Sequence, residues 1–218
     1  MSMKITIIYD NNVSQKGLRD DWGFSCLIEA YERKILFDTG GNGALLLENM
    51  RRLNINPTEI DDIFLSHTHF DHIGGLSAFL NENNNVTIHL PSSLKGIRNA
   101  KKVLYYDKPS KIHNHIYTTG ELDQVEQSLA IETGEGLVLI VGCSHPGIEN
   151  IFKALSPFGR IYGIVGGLHG FNRFELFKDL EFICPCHCTQ YKKKIKSRYP
   201  GQYIEGGAGK VIDVNFRT

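Results

Sequence analysis

Ile60-Asp61-Asp62-Ile63-Phe64-Leu65-Ser66-His67-Thr68-His69-Phe70-Asp71-His72-Ile73-Gly74-Gly75-Leu76 is the stretch on which the reading of this chain turns. Ile60 to Ser66 reads as a short strand, and Gly74 to Leu80 as a short helix after a glycine turn. Between them stands the pattern H-x-H-x-D-H at His67, His69, Asp71 and His72. Alternate residues of an extended segment share one side, so His67, His69 and Asp71 can converge, and the turn at Gly74-Gly75 lets His72 swing toward a second centre. Imidazole and carboxylate suit Zn, Fe, Mn or Ni. A polar loop after a strand is the plain alternative. Four ligand-type side chains within six positions favour metal binding over it.

Outward from that stretch, short β-branched and aromatic runs alternate with helical patterns, the rhythm of an α/β fold. Lys4 to Asp10, Phe24 to Ala30 and Lys34 to Asp38 read as strands, the last two as a hairpin across Tyr31-Glu32-Arg33. Ala44 to Leu53 carries Leu45, Leu46, Met50 and Leu53 at helical spacing. In the second half, strands are predicted at Leu137 to Gly142, Arg160 to Val165 and Phe182 to Cys184, with helices at Ile148 to Leu155 and Glu175 to Leu180. Each of these strands runs into a histidine: His145, His169 and His187. Strand carboxyl ends gather along one rim in α/β folds, so four strand ends offer histidine to one place. With no repeat or linker in between, residues 1–218 read as a single domain of two similar halves.

Composition narrows the class. The 218 residues are 41% hydrophobic, enough for a substantial core, and 24 Lys plus Arg balance 24 Asp plus Glu. No global field draws such a chain toward nucleic acid or an anionic membrane, so neither is expected as a partner, and a small-molecule substrate is. No apolar run approaches the length of a membrane span, and Met1-Ser2-Met3-Lys4-Ile5 leads straight into a strand, so a cytoplasmic location is expected. The five cysteines, three of them in Cys184-Pro185-Cys186-His187-Cys188, lack the spread of a disulfide framework and are expected to be free thiols.

Phe37-Asp38-Thr39-Gly40 after a strand, the H-x-H-x-D-H run followed by Gly74-Gly75-Leu76, and the later strand-end histidines resemble the metallo-β-lactamase superfamily. Within it, Gly142-Cys143-Ser144-His145-Pro146-Gly147-Ile148, Gly166-Gly167-Leu168-His169 and His187-Cys188-Thr189 look like the branch labelled dihydropterin-ribofuranosyl-aminobenzene-phosphate synthase. The likeness spans roughly residues 34–209. It implies an α/β fold built as a four-layer αββα sandwich, with a metal site on the rim where the halves meet. It further implies two divalent transition-metal ions, Zn first and Fe, Mn or Ni as alternatives. His67, His69 and His145 would hold one ion, and Asp71, His72 and His187 the other. Most of the superfamily has a bridging Asp where this chain has His169 between Gly167-Leu168 and Gly170. A neutral imidazole cannot bridge two cations as a carboxylate does, so His169 either ligates one metal or lines the pocket. Asp71, as ligand and proton acceptor, and His169 are the candidate catalytic residues.

The expected reaction is metal-assisted hydrolysis of an ester, lactone, thioester or phosphoester. A synthase acting on a pterin-like or ribosyl phosphate compound, and a redox or metal-sensing protein, are the alternatives. Redox members of the superfamily typically carry an acidic residue where His69 stands, which favours hydrolysis. Other residues draw plainer readings: Asp38 as a carboxylate that orders the site, Cys143 as a small buried hydrophobe before a soft ligand, and Cys184, Cys186 and Cys188 as packing around His187. His89 reads as a satisfied core or edge residue. The stretch from Ser92 to Thr119 shows no core pattern and reads as a solvated loop or a lid. Lys192 to Lys196 reads as a solvated helix face.

Overall fold

The structure is a computed structural model that describes residues 2–215. The first sheet begins with β1 (Ser2–Tyr9), β2 (Ser25–Ala30) and β3 (Arg33–Phe37), an antiparallel meander. It continues in parallel through β4 (Asp62–Phe64), β5 (Thr87–Pro91) and β6 (Lys102–Tyr106). The second sheet is built from β7 (Ser110–His113), β8 (Ile116–Thr118), β9 (Leu129–Thr133), β10 (Gly136–Val141), β11 (Ile161–Gly167) and β12 (Phe182–Cys186). The last strand, β13 (Val211–Asn215), returns to the first sheet and pairs antiparallel with β1.

Period-two alternation sorts these strands into layers. On β10, Val138 and Ile140 point between the sheets and meet Ile5, Phe37 and Phe64 of the first sheet. Leu137, Leu139 and Val141 point the other way, onto Ile148, Ile151 and Leu155 of α4 (Ile148–Leu155) and Ile195 of α5 (Lys192–Arg198). The outer face of the first sheet is covered likewise by α1 (Gly43–Arg52) and α3 (Leu76–Glu82), through Leu45, Leu46, Met50, Leu76 and Phe79. Helices therefore flank two packed sheets, the αββα order. The Asn42 side chain caps α1 by accepting from the backbone N–H of Ala44 and Leu45, a contact whose loss costs about 1 kcal/mol.

Two departures from the sequence reading stand out. The 92–119 segment holds β6, β7 and β8, neither loop nor lid. β6 and β7 are half-exposed strands at the sheet edges, so their alternation is blurred, and β8 is only three residues long. The helix expected at Glu175 to Leu180 is a single 3-10 turn, Phe174–Phe177, that seats two phenylalanines on the outer core.

Candidate metal centre

Because β10, β11 and β12 run parallel, the segments that leave them lie on one rim. The backbone turns through the left-handed region at Ser144 (φ 60°), His169 (φ 44°) and His187 (φ 45°), directing His145, His169 and His187 back over the sheet ends. Two glycines let these loops close up. A Cβ on Gly166, itself at φ 126°, would lie 2.0 Å from the Val141 carbonyl oxygen, and one on Gly142 would lie 2.3 Å from Ser66 Oγ. From the first sheet, β4 delivers Ser66 and His67, and the short helix α2 (Phe70–Ile73) delivers Asp71 and His72.

Hydrogen-bond partners fix the imidazole tautomers. Ser66 Oγ donates its single proton to Asp38 Oδ2 (2.7 Å), so it accepts from His67 Nδ1 (2.8 Å). His72 Nδ1 donates to Asp38 Oδ2 (2.6 Å), and His145 Nδ1 to Glu126 Oε2 (2.8 Å). Asn11 uses its amide NH2 on the His187 carbonyl, so its Oδ1 accepts from His187 Nδ1 at 3.0 Å. In its neutral form each of these four rings keeps an Nε2 lone pair for the centre, the arrangement that metal-ligating histidines require; the carboxylates behind His72 and His145 raise the pKa of those two rings.

The donors are spaced for metal ions. His67 Nε2 lies 3.1 Å from His69 Nδ1, and His187 Nε2 lies 3.1 Å from Asp71 Oδ2. The edge of a tetrahedron around Zn with N or O ligands is about 3.3 Å, from bond lengths of about 2.0–2.1 Å. Donor atoms of His67, His69 and His145 lie within 4.8 Å of one another, as do those of Cys143, His145 and His169. His187 Nε2 is buried and makes no hydrogen bond, with the Asp71 carboxylate at ion-pair distance beside it. A buried imidazole nitrogen left this way costs free energy unless something else takes its lone pair. Burial, reinforced by neighbouring His72, brings the pKa of His67 down to about 2 and that of His187 to about 3, so both are neutral, the ligating form. The residues thus fit divalent transition metals.

His169 is exposed, with its ring centroid 5.4 Å from that of His145. It therefore stands on the His145 side of the rim. Glu126 anchors the rim from below: Oε1 accepts from the backbone N–H of Gly142, Cys143 and Ser144, and Oε2 from that of His145. Burial opposes its charge, but these bonds and the His145 imidazole hold its carboxyl at about 2. Glu126 belongs to no local motif; its only sequence signal is a lone acidic residue in an otherwise uncharged run up to Ile131.

The cysteines divide. Cys184 and Cys186 alternate on β12 into the core between the sheets, as packing residues. Cys188 lies beyond the left-handed turn at His187, and its Sγ reaches the rim, 3.2 Å from Cys143 Sγ. Cys143 is buried as expected, yet its Sγ is 3.3 Å from His72 Nε2, so it faces the centre instead of packing as a hydrophobe. The mouth of the site carries exposed aromatics: Phe70, and Trp22, whose ring meets His187 edge-on at 5.0 Å.

A second His/carboxylate cluster sits away from this rim. Asp62 Oδ1 accepts from His89 Nε2 (2.9 Å) and Oδ2 from His113 Nε2 (3.1 Å), tying β4 and β5 of one sheet to β7 of the other. His89 Nδ1 pairs with Tyr106 Oη at 3.0 Å, so His89 has a partner at both nitrogens.

Residues 23–147 match the family model described as metallo-beta-lactamase superfamily. The chain belongs to the metallo-β-lactamase superfamily. It is 30% identical to an uncharacterized protein of Methanocaldococcus jannaschii, over 96% of this chain and 100% of that one. A second protein of that organism, named 7,8-dihydropterin-6-methyl-4-(beta-D-ribofuranosyl)-aminobenzene-5'-phosphate synthase, is also 30% identical, over 87% of this chain and 89% of its own. Among solved structures, Tm1679, described as a metal-dependent hydrolase of the beta-lactamase superfamily, superposes with a TM-score of 0.78. It is 26% identical, with 97% of this chain and 99% of that one covered. Among the described residues no helix is long and apolar enough to cross a membrane.

Proposed function

We propose that this protein is a cytoplasmic dinuclear metallo-hydrolase acting on a small-molecule ester, lactone, thioester or phosphoester. The observation that carries the reading is the set of inward lone pairs on one rim, with the buried His187 Nε2 left without a hydrogen-bond partner beside Asp71. His67, His69 and His145 would hold one ion, and Asp71, His72 and His187 the other, with Zn the first candidate and Fe, Mn or Ni the alternatives. When bound, such ions supply water ionised near neutral pH and polarise the bond to be cleaved, so no Ser or Cys nucleophile is needed.

The protein's own groups do the remainder. Asp38, Glu126, Asn11 and Ser66 hold the imidazoles in one tautomer and one orientation. Asp71, one-fifth exposed at its side chain, is the carboxylate placed to accept a proton from the attacking water. His169, exposed beside His145, is placed to contact the reacting group of the substrate. Trp22 and Phe70 offer an apolar wall to the rest of it. Five free cysteines are consistent with a reducing compartment.

The test is the metal content of the folded protein purified without chelator, together with turnover of a panel of those four bond classes. About two equivalents of transition metal and hydrolysis lost on chelation are expected. Less than about half an equivalent in a folded sample would reject the reading. A second reading, synthesis on a pterin-like or ribosyl phosphate compound, is favoured by the name of the second archaeal relative. The same panel separates the two, because a synthase would join such compounds and leave all four bond classes intact.

A further inference from the structure

The place where a bridging carboxylate is expected carries His169, which is neutral when it ligates and whose ring meets that of His145. That leaves six ligands with a single negative charge, Asp71, for two divalent cations. Cys143 brings a thiol to the same place from another direction. Its Sγ lies within 4.8 Å of donor atoms in three separate groupings: with His67 and His72, with His145 and His169, and with His187 and Cys188. His67 and His145 belong to one proposed ion, His72 and His187 to the other, so this sulfur is within reach of both sets. Its 3.3 Å separation from His72 Nε2 is close to the tetrahedral edge of about 3.5 Å for one sulfur and one nitrogen ligand on Zn. His187, whose buried Nε2 makes no hydrogen bond, belongs to one of the same groupings, which marks this spot as a ligand position and not a packing contact.

We infer that Cys143 is a metal ligand shared by the two ions, its thiolate taking the place of the missing bridging carboxylate. The inference rests on the dinuclear reading proposed above. On metal entry the Cys143 S–H bond gives its proton to solvent and sulfur–metal bonds form, with no change in oxidation state. Cys188 is the neighbour that donates a hydrogen bond to this sulfur, Sγ to Sγ 3.2 Å. A soft, polarisable sulfur between the ions shifts preference toward Zn and away from hard cations such as Mg.

The experiment uses Co(II) as the probe, titrated into the metal-free full chain under a non-thiol reductant, with bound cobalt counted by elemental analysis. Thiolate-to-cobalt charge transfer in the near ultraviolet is expected to grow with both equivalents. Cys143→Ser and Cys143→Ala should each lose that band and weaken cobalt binding by at least about 10-fold, while Cys188→Ser keeps the band. The two variants at position 143 guard against a folding defect in one of them. A wild-type protein that binds cobalt without the band, or a band that survives in Cys143→Ser, overturns the inference and leaves the dinuclear reading standing. A band complete after one equivalent overturns the sharing. A folded wild-type chain that takes up no cobalt overturns both.

Discussion

Two clusters of histidine and carboxylate cross from one sheet to the other, and they are built on opposite plans. At Asp62 every donor meets an acceptor: each carboxylate oxygen takes one imidazole N–H, and the far nitrogen of His89 is taken by Tyr106. At the rim two carboxylates, Asp38 and Glu126, with Ser66 and Asn11, sit behind the imidazoles and use up their Nδ1 positions, so the Nε2 atoms turn to the centre and that of His187 is left without a hydrogen bond. Both clusters have three or more ligand-type atoms within metal-binding reach of one another. Proximity therefore does not distinguish a metal site from a structural tie. What distinguishes them is whether the lone pairs are already spent inside the protein.

The sharpest way to break this contrast is to remove the leftover nitrogen. His187→Ala is expected to lose the second ion, with metal affinity there falling at least about 100-fold and hydrolysis abolished, measured by elemental analysis and turnover. Activity within threefold of wild type with metal still bound would mean that the leftover lone pair is not a ligand. Next in size is Glu126→Gln, which keeps the shape but swaps a carboxylate that accepts from four backbone N–H groups for an amide. Metal affinity should fall about 10–100-fold, and the metal-free protein should lose about 2–3 kcal/mol in a urea titration at pH 7. The folded pKa of Glu126, about 2, lies below its ordinary value of 4.5. Its stabilising contribution is therefore full above about pH 5 and is lost as pH falls from there toward 2. The gap between wild type and variant should close over that window.

At the closed cluster the effects are smaller and of another kind. Burial opposes the Asp62 charge, but hydrogen bonds from His113 and His89 hold its carboxyl far below the ordinary 3.8. Asp62→Asn should cost about 2 kcal/mol at pH 7, a difference that shrinks as pH drops below about 4, while metal content stays unchanged. Metal loss in that variant would erase the distinction between the two clusters. The smallest effect belongs to His115, an exposed ring stacked on Tyr31 and paired with Glu132. His115→Ala is expected to shift stability by no more than about 0.5–1 kcal/mol and to leave the metal content alone.

How much of this could be read beforehand depends on whether the cause is local. The H-x-H-x-D-H run and the three strand-end histidines announce themselves, because strand direction and a few residues of loop are enough to place them. The apolar strands β1 to β4 and β10 to β12 are legible for the same reason. Glu126 is not, because its partners lie 16 to 19 residues downstream and are mostly backbone N–H groups, which carry no side-chain signature. Cys143 reads as a hydrophobe because its sequence shows only that it will be buried, and the identity of the atom 3.3 Å away is a matter of how two sheets meet. β6 and β7 are hidden by their exposure at the sheet edges, where polar residues on both faces erase alternation, and β8 by its length of three residues.

The left-handed turns after β10, β11 and β12 set function against robustness. A side chain at such a φ costs roughly 1–2 kcal/mol that glycine does not pay, and two of the three positions are histidines facing the rim. Replacing His169 by glycine should therefore make the metal-free fold more stable while impairing the centre. Random mutation under selection for stability alone would erode these turns first, and a lineage that had lost its chemistry would be expected to show Gly or Asn at 144, 169 and 187.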